Sequence, residues 1–151
     1  MSITIGFRSV KADDLEFLVR LRKKTMKPHL KIAGIAMTPE QHTERVKEFY
    51  QDSHIILHNR KAIGVIKLGV LKKSLHIRQF QISPEFQNKG VGTLVIAVVK
   101  KRALQLELPI TLNVLLKNPV RGLYLRHGFQ IKSKNRLEYQ MLCPLDVISS
   151  S

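Results

Sequence analysis

"SPEFQNKGVGTLV", residues 83–95, lies between a segment with strand periodicity and a segment with helical periodicity. Glycines such as Gly90 and Gly92 let the main chain approach a ligand closely. The first N–H groups of the following helix have no intrahelical partner, and such helix starts bind anions. The dinucleotide fingerprint needs a third glycine and the P-loop needs a Gly-Lys-Ser/Thr ending, and neither is present. Taken alone, the segment predicts either an anion site or a tight turn before a packed helix.

The preceding strand, "LHIRQFQIS" (75–83), has a hydrophobic pattern that changes phase. Its apolar positions are Leu75 and Ile77, and then Phe80 and Ile82. A strand that buries one face throughout needs an extra residue at such a slip, so the pattern favours a β-bulge. The alternative is a strand covered on both faces, in which the slip has no meaning.

The remaining chain alternates strand-like and helix-like segments. The predicted order is β, α, α, β, β, β, α, β, α, β, β, which indicates an α/β (α+β) fold with a mixed sheet and helices on its faces. The helix after Gly90 is expected to bury one face; its members are Leu94, Val95, Val98, Val99, Ala103 and Leu106. We expect one domain over residues 1–151, with a frayed tail at 146–151.

The composition is that of an ordinary globular protein, with 44% apolar and 25% charged residues. No apolar run is long enough to span a bilayer, and the N-terminus lacks the layout of a secretion signal, so we expect a cytoplasmic protein without membrane contact. The single cysteine, Cys143, excludes an internal disulfide and a cysteine-rich metal site. No ligand spacing predicts a metal, and no Ser–His–Asp set is evident.

The net charge is +15 and is unevenly distributed. Residues 53–137 hold sixteen Lys and Arg against two acids, Glu85 and Glu107, which leaves +14 in that segment. Such a field attracts phosphate-rich partners, either a small ligand or nucleic acid, although a merely solubilising surface has the same composition.

Two motifs together resemble the GNAT superfamily of acetyl-coenzyme A-dependent N-acetyltransferases. Gln87, Gly90 and Gly92 match the coenzyme-binding signature Gln/Arg-x-x-Gly-x-Gly/Ala. About thirty residues later, "NPVRGLYLRHGF" (118–129) resembles the later family segment through Asn118, Tyr124, Gly128 and Phe129. The segment "MKPHL" (26–30) is similar to a poorly characterised bacterial subgroup. The resemblance implies a mostly antiparallel sheet of about seven strands, with helices on both faces and a bulged fourth strand.

The resemblance also implies a site for acetyl-coenzyme A in a wedge between the strand ending at Ser83 and the strand "ITLNVLL". Main-chain groups of Phe80, Gln81 and Ile82 would pair with the pantetheine arm like an added strand. Asn118 would help to orient that arm. Amides would hold the diphosphate; they belong to Gln87, Asn88, Lys89, Gly90, Val91, Gly92 and Thr93.

Acetyl transfer to an amine needs a base for the amine proton and a proton donor for the departing thiolate. By its motif position, Tyr124 is predicted to be the general acid. His76 lies eleven residues before Gln87, near where several family members carry a catalytic glutamate or histidine. It is equally compatible with a surface residue at a strand end. Lesser candidates for the base are Glu85, Gln79, Gln81 and a chain of waters, and His29 is a candidate for lining the acceptor site.

The resemblance predicts direct transfer of an acetyl group, in a ternary complex, to a primary amine of a small molecule or a protein. A basic module that binds nucleic acid or ribosomes is the alternative, but the chain has few aromatic residues and no recognisable nucleic-acid-binding motif. A further alternative is an acetyl-coenzyme A binder without turnover, against which the presence of Tyr124 argues. Family members commonly form dimers, so a homodimer is also expected.

Overall fold

A computed structural model describes residues 3–150. The strands are β1 (Gly6–Ser9), β2 (Ser53–His58), β3 (Lys61–Val70), β4 (Leu75–Ile82), β5 (Ile110–Leu115), β6 (Gln130–Lys134) and β7 (Glu138–Cys143). The helices are α1 (Leu15–Ile32), α2 (Pro39–Lys47), α3 (Val91–Leu106), α4 (Arg121–Arg126) and α5 (Leu145–Ser149). The strand order is β1-β2-β3-β4-β5-β7-β6, which confirms the predicted seven-stranded, mostly antiparallel mixed sheet. No helix within residues 3–150 combines the length and apolar character needed to cross a bilayer.

Internal contacts divide the described chain into two compact units. The first comprises the residues up to Lys67 together with Gln79–Val91, and the second comprises Leu68–Arg78 together with the residues from Gly92 onwards. The expectation of a single domain over residues 1–151 stays a prediction.

In the first unit, α1 and α2 pack on the β2–β3 hairpin through a shared apolar core. Its fully buried members are Leu18, Leu21, Val46, Ile55 and Val65. The sequence predicts that α2 begins with Thr38 as N-cap and with Gln41 completing a capping box, and the structure confirms this. Thr38 Oγ1 accepts from the Gln41 amide at 3.1 Å, while Gln41 Oε1 accepts from the Thr38 amide at 2.7 Å. A bidentate ion pair joins Arg8 on β1 to Asp14 before α1, with both N–O distances 2.8 Å.

Helix α1 is longer than the sequence pattern predicts, since that pattern ends at residue 26 and leaves His29 in a loop. The structure instead continues α1 through Pro28 to Ile32. A proline inside a helix removes one main-chain hydrogen bond. Leu30, which is 7% exposed, anchors the segment beyond the proline.

Burial along β4 alternates without interruption. Leu75, Ile77, Gln79 and Gln81 are buried, whereas Phe80 and Ile82 on the other face are only half-buried. The reason for expecting a bulge, that the buried side changes after Ile77, is therefore wrong, and the bulge itself stays a prediction. The apolar pattern slips because two glutamines occupy buried positions, where Gln79 Nε2 donates to Gln81 Oε1 at 2.7 Å. A Cβ added to Gly64 on β3 would lie 2.5 Å from the carbonyl oxygen of Gln81, so the two strands approach closely there.

In the second unit, β4 and β5 run parallel over three residue pairs, Leu75–Ile77 with Ile110–Leu112. β5 continues antiparallel to β7 along its whole length. The buried residues of α3 are Val91, Val95, Ile96, Val99 and Ala103. The prediction that Leu94 and Val98 face the core is wrong, because they are 36% and 46% exposed. The buried face is rotated towards Ile96.

The expected frayed tail at 146–151 is corrected for most of its length. Residues 145–149 form α5, and Ile148 is 1% exposed. Burial of this isoleucine removes apolar surface from water, which stabilises the final helical turn. Residue 151 lies outside the described residues.

Candidate active site

The predicted diphosphate loop begins after a single 3₁₀ turn, Pro84–Phe86, that follows β4. Asn88 and Gly90 both have left-handed φ values, 60° and 84°. A Cβ at Gly90 would meet no atom within 4 Å, so backbone conformation and not crowding requires glycine there. Gln87 Nε2 donates to the carbonyl of Ile82 at 2.9 Å, which ties the loop to the end of β4.

Two lysines lie beside this loop on the ring of Phe86. The Nζ atoms of Lys61 and Lys89 are each 5.6 Å from the ring centroid, a distance typical of cation–π contacts. The sequence motif includes Lys89 but not Lys61, which reaches the loop from the start of β3 through tertiary contact. The loop therefore carries more positive charge than its own sequence indicates.

The second glycine of the motif has a different role from the first. A Cβ at Gly92 would lie 2.8 Å from a methyl group of Leu123, so the absence of a side chain lets α3 pack closely on α4. Thr93 Oγ1 lies 3.2 Å from Nε2 of His127, which joins the same two elements. Gly92 thus supports the packing of the helix whose N-terminus follows the loop.

The sequence predicts Asn118 as the N-cap, Pro119 as the first helical residue and Gly128 as the C-cap of this helix, but the helix proper begins two residues later than expected, at Arg121. Asn118 Oδ1 accepts from the Val120 amide at 3.0 Å. At the other end, Gly128 has φ 90°, its amide donates to Leu125, and the Phe129 amide donates to Tyr124. This is the Schellman arrangement of a helix C-terminus.

The Schellman turn places Phe129 against Tyr124. The two rings are edge to face, with centroids 5.4 Å apart. Tyr124 is only 5% exposed. Burial raises the pKa of its phenol well above the ordinary value, so the hydroxyl keeps its proton at neutral pH.

His76 belongs to a short hydrogen-bonded chain between β4 and β5. Its Nδ1 lies 2.8 Å from Thr111 Oγ1, which donates in turn to Ser74 Oγ at 3.0 Å. Ser74 is buried and His76 half-buried. Burial, and then the nearby Arg78, lower the pKa of His76, which favours the neutral imidazole. His76 is therefore not a freely exposed strand-end residue.

The lesser candidates for the base have less suitable surroundings. Glu85 is exposed on the 3₁₀ turn, while Gln79 and Gln81 are buried and bonded to each other. His29 lies within α1, and its Nδ1 is buried without a hydrogen-bond partner in the described structure. Among residues 3–150, no group of three or more His, Cys, Asp or Glu side chains is arranged to hold a metal ion.

The sequence from residue 28 to residue 141 matches the family model for the acetyltransferase (GNAT) domain. The chain belongs to the GNAT family of acetyltransferases. The match spans β4, the loop after it, the start of α3, Asn118 and α4, and it therefore includes every predicted catalytic and cofactor-binding residue. No curated protein sequence matches this GNAT chain significantly.

Solved structures share the fold of this GNAT chain at low sequence identity. PaiA N-acetyltransferase from Thermoplasma acidophilum, crystallised with coenzyme A, is 18% identical with TM-score 0.74, over 94% of this chain and 99% of that one. The ribosomal-protein-S18-alanine N-acetyltransferase of Escherichia coli is 14% identical with TM-score 0.71, over 94% of both chains. Spermidine N-acetyltransferase from Vibrio cholerae, in complex with CoA and spermine, is 19% identical with TM-score 0.71, over 96% and 98%.

Proposed function

We propose that this GNAT chain transfers the acetyl group of acetyl-coenzyme A directly to a primary amine, with both substrates bound at once. The observation that carries the proposal is the left-handed, open conformation at Gly90 immediately before the N-terminus of α3. That arrangement presents unpaired main-chain N–H groups to an anion. Acetyl-coenzyme A fits because its diphosphate supplies such an anion.

The coenzyme would be bound mainly by main-chain groups. The amides of residues 87–93 would hold the diphosphate, assisted by the positive charges of Lys61 and Lys89 beside Phe86. Phe80, Gln81 and Ile82 lie beyond the three-residue ladder between β4 and β5, and they would pair with the pantetheine arm. Asn118 would orient the arm, although its Oδ1 also accepts from Val120.

Tyr124 is proposed to stabilise the departing thiolate. Its raised pKa means that the phenol is protonated at neutral pH and can donate. A phenol with a pKa above that of a thiol donates a hydrogen bond to the thiolate more readily than it surrenders its proton. We therefore assign Tyr124 as a hydrogen-bond donor to the sulfur, in place of the general acid that its motif position predicts, and solvent supplies the proton that completes the thiol.

His76 is proposed to accept the amine proton. We assign the tautomer in which Thr111 gives its hydroxyl proton to Ser74 and accepts from Nδ1–H of His76. This tautomer leaves Nε2 of His76 with a free lone pair. The lowered pKa keeps that nitrogen unprotonated at neutral pH.

The atoms balance as follows. The amine nitrogen attacks the thioester carbonyl carbon, the C–N bond forms, and the C–S bond breaks. His76 takes the proton lost by the amine and releases it to solvent. The thiolate leaves with the hydrogen bond from Tyr124 and takes one proton from solvent to become the free thiol. A free lysine-type amine must first lose a proton at about pKa 10.4, which costs about 5 kcal/mol at pH 7 and explains the need for a base.

A panel of primary amines, assayed for free-thiol release from acetyl-coenzyme A, tests this function. Amine-dependent thiol release together with mass-spectrometric detection of the acetylated amine would support it. Tight coenzyme A binding with no thiol release for any amine would instead favour the binder without turnover. A homodimer, a cytoplasmic location and nucleic-acid binding stay predictions.

A further inference from the structure

The inner face of α1 changes from apolar to polar after Leu21. Leu18 and Leu21 are buried in the core of the first unit, but the next residue on that side, Arg22, is a half-buried cation. The Nε atom of Arg22 is buried and has no hydrogen-bond partner among residues 3–150. Within residues 3–150, an Nη atom of Arg22 makes a weak polar contact with the sulfur of Met37 at 3.8 Å.

The facing helix repeats this change. Val46 of α2 lies in the same core, and His42, one turn earlier on the same face, is only 5% exposed. Nδ1 of His42 is also buried without a hydrogen-bond partner in the described residues. Burial lowers the pKa of His42, and so do Arg22, Lys23 and Lys27 of α1, which shows that these positive groups lie near it.

The unpaired donors contrast with another buried cation in the same unit. Lys67 is 3% exposed, and its Nζ donates to the carbonyls of Val46 at 3.1 Å and Glu48 at 2.7 Å. This fold therefore supplies acceptors to a buried cation at the C-terminus of α2. The acid that raises the pKa of Arg22 is Glu48. Glu48 pairs with Arg45 at 3.8 Å, and both of these side chains are more than half exposed.

Buried donors without acceptors cost free energy unless a ligand satisfies them. A guanidinium presents two parallel N–H groups to a carboxylate or phosphate, and the imidazole beside it adds a further N–H donor. The residues proposed to hold the coenzyme are 80–93 and Asn118. Arg22 and His42 belong to neither group, so the anion they suit is distinct from the diphosphate.

We propose that Arg22 and His42 bind a carboxylate or phosphate group of the acetyl acceptor. The acceptor class is then a primary amine that carries an anionic group, such as an amino acid or a phosphorylated amine. This assignment rests on the proposed acetyl transfer. A free anion that binds separately from the acceptor has the same chemistry, and the experiment below distinguishes the two.

The first part of the experiment measures anion binding without catalysis. The imidazole signals of the protein are followed by NMR during titration with inorganic phosphate at constant ionic strength. The His42 signal is expected to shift saturably, whereas that of the exposed His54 is not. Arg22→Gln is expected to weaken the apparent phosphate affinity about tenfold or more. Arg20→Gln removes the same charge from the exposed face of α1 and serves as the matched control.

Thermal melting shows whether the variants fold. Because Arg22→Gln removes a half-buried charge without a carboxylate partner, its midpoint in phosphate-free buffer is expected to be no lower than that of the wild type. Added phosphate is then expected to raise the midpoint of the wild type and of Arg20→Gln more than that of Arg22→Gln.

The second part compares matched amines that differ by one anionic group: ornithine with putrescine, lysine with cadaverine, and phosphoethanolamine with ethanolamine. The anionic member is expected to have the higher kcat/KM, by about tenfold. Arg22→Gln is expected to reduce kcat/KM more for that member than for the amine that lacks the anionic group, and Arg20→Gln is expected to preserve the preference.

Each outcome decides. A saturable His42 shift that requires Arg22, together with an Arg22-dependent preference for anionic amines, supports the proposal. A shift without that preference, or without transfer to any amine, overturns the assignment to the acceptor and identifies a separate anion site. Acetyl transfer with no saturable His42 shift overturns the anion site while leaving the enzymatic function intact, and water then satisfies these donors.

Discussion

Tyr124→Phe removes one hydroxyl group and keeps the ring that packs edge to face on Phe129 at 5.4 Å. Because Tyr124 is only 5% exposed and the ring fills the same space, we expect the folded state to survive the change. In the proposed mechanism, the lost interaction is a hydrogen bond to a thiolate that exists only late in the reaction. Such a bond to a charged group contributes about 1.5–3 kcal/mol, which corresponds to a loss of roughly 10- to 150-fold in turnover.

Steady-state thiol release measures the effect of Tyr124→Phe on turnover, and calorimetric titration of coenzyme A measures its effect on coenzyme binding. We expect kcat and kcat/KM to fall together, as for an interaction made only in the transition state, with little change in coenzyme affinity. Tyr139→Phe is the matched control, since this half-exposed tyrosine on β7 stacks under Arg121 and has no assigned catalytic role. A kcat within about twofold of the wild-type value would remove Tyr124 from the mechanism.

Three further predictions follow from single contacts. Asp14→Asn should lower the free energy of unfolding by about 2 kcal/mol at pH 7, because it breaks the ion pair with Arg8. Arg8 lowers the pKa of Asp14 below its ordinary value of 3.8. In denaturant titrations, the difference between the variant and the wild type should therefore vanish as the pH falls through that depressed pKa. The pH profile of kcat/KM should lose activity as pH falls through the lowered pKa of His76, below 6.5, and His76→Gln should abolish that limb. Gly64→Ala should cost about 1–3 kcal/mol in denaturant unfolding, because its Cβ would overlap the main chain of β4, whereas Gly6→Ala, with open space around it, should cost less.

The sequence was sufficient for the order of the elements because their local signals are strong. The Thr38–Gln41 capping box, the Gly128 helix end and the alternating hairpin strands each depend on neighbours in the chain. Where a prediction failed, tertiary contact decided the outcome. Burial of Leu30 continues α1 beyond Pro28, and burial of Ile148 orders the C-terminal turn.

The candidate site also combines features that the local sequence indicates with features that depend on tertiary contact. The glycine motif identified the loop, but it could not show that Gly90 is required by its φ value and Gly92 by packing on Leu123. Lys61 joins the loop from a distant position in sequence, so no local pattern could indicate it. The unpaired donors of Arg22 and His42 likewise become apparent only when the two helices are packed, since each residue looks like an ordinary surface cation in the sequence.

Calorimetric comparison of coenzyme A with pantetheine tests most directly whether the amides at residues 87–93 bind a diphosphate. Pantetheine keeps the thiol arm and lacks both the phosphates and the adenosine, so the salt dependence of coenzyme A binding reports the contribution of the phosphates. We predict saturable binding of coenzyme A, weakened by salt, and binding of pantetheine that is weaker by at least about tenfold. Equal affinities for the two compounds, or no saturable heat with coenzyme A, would contradict it.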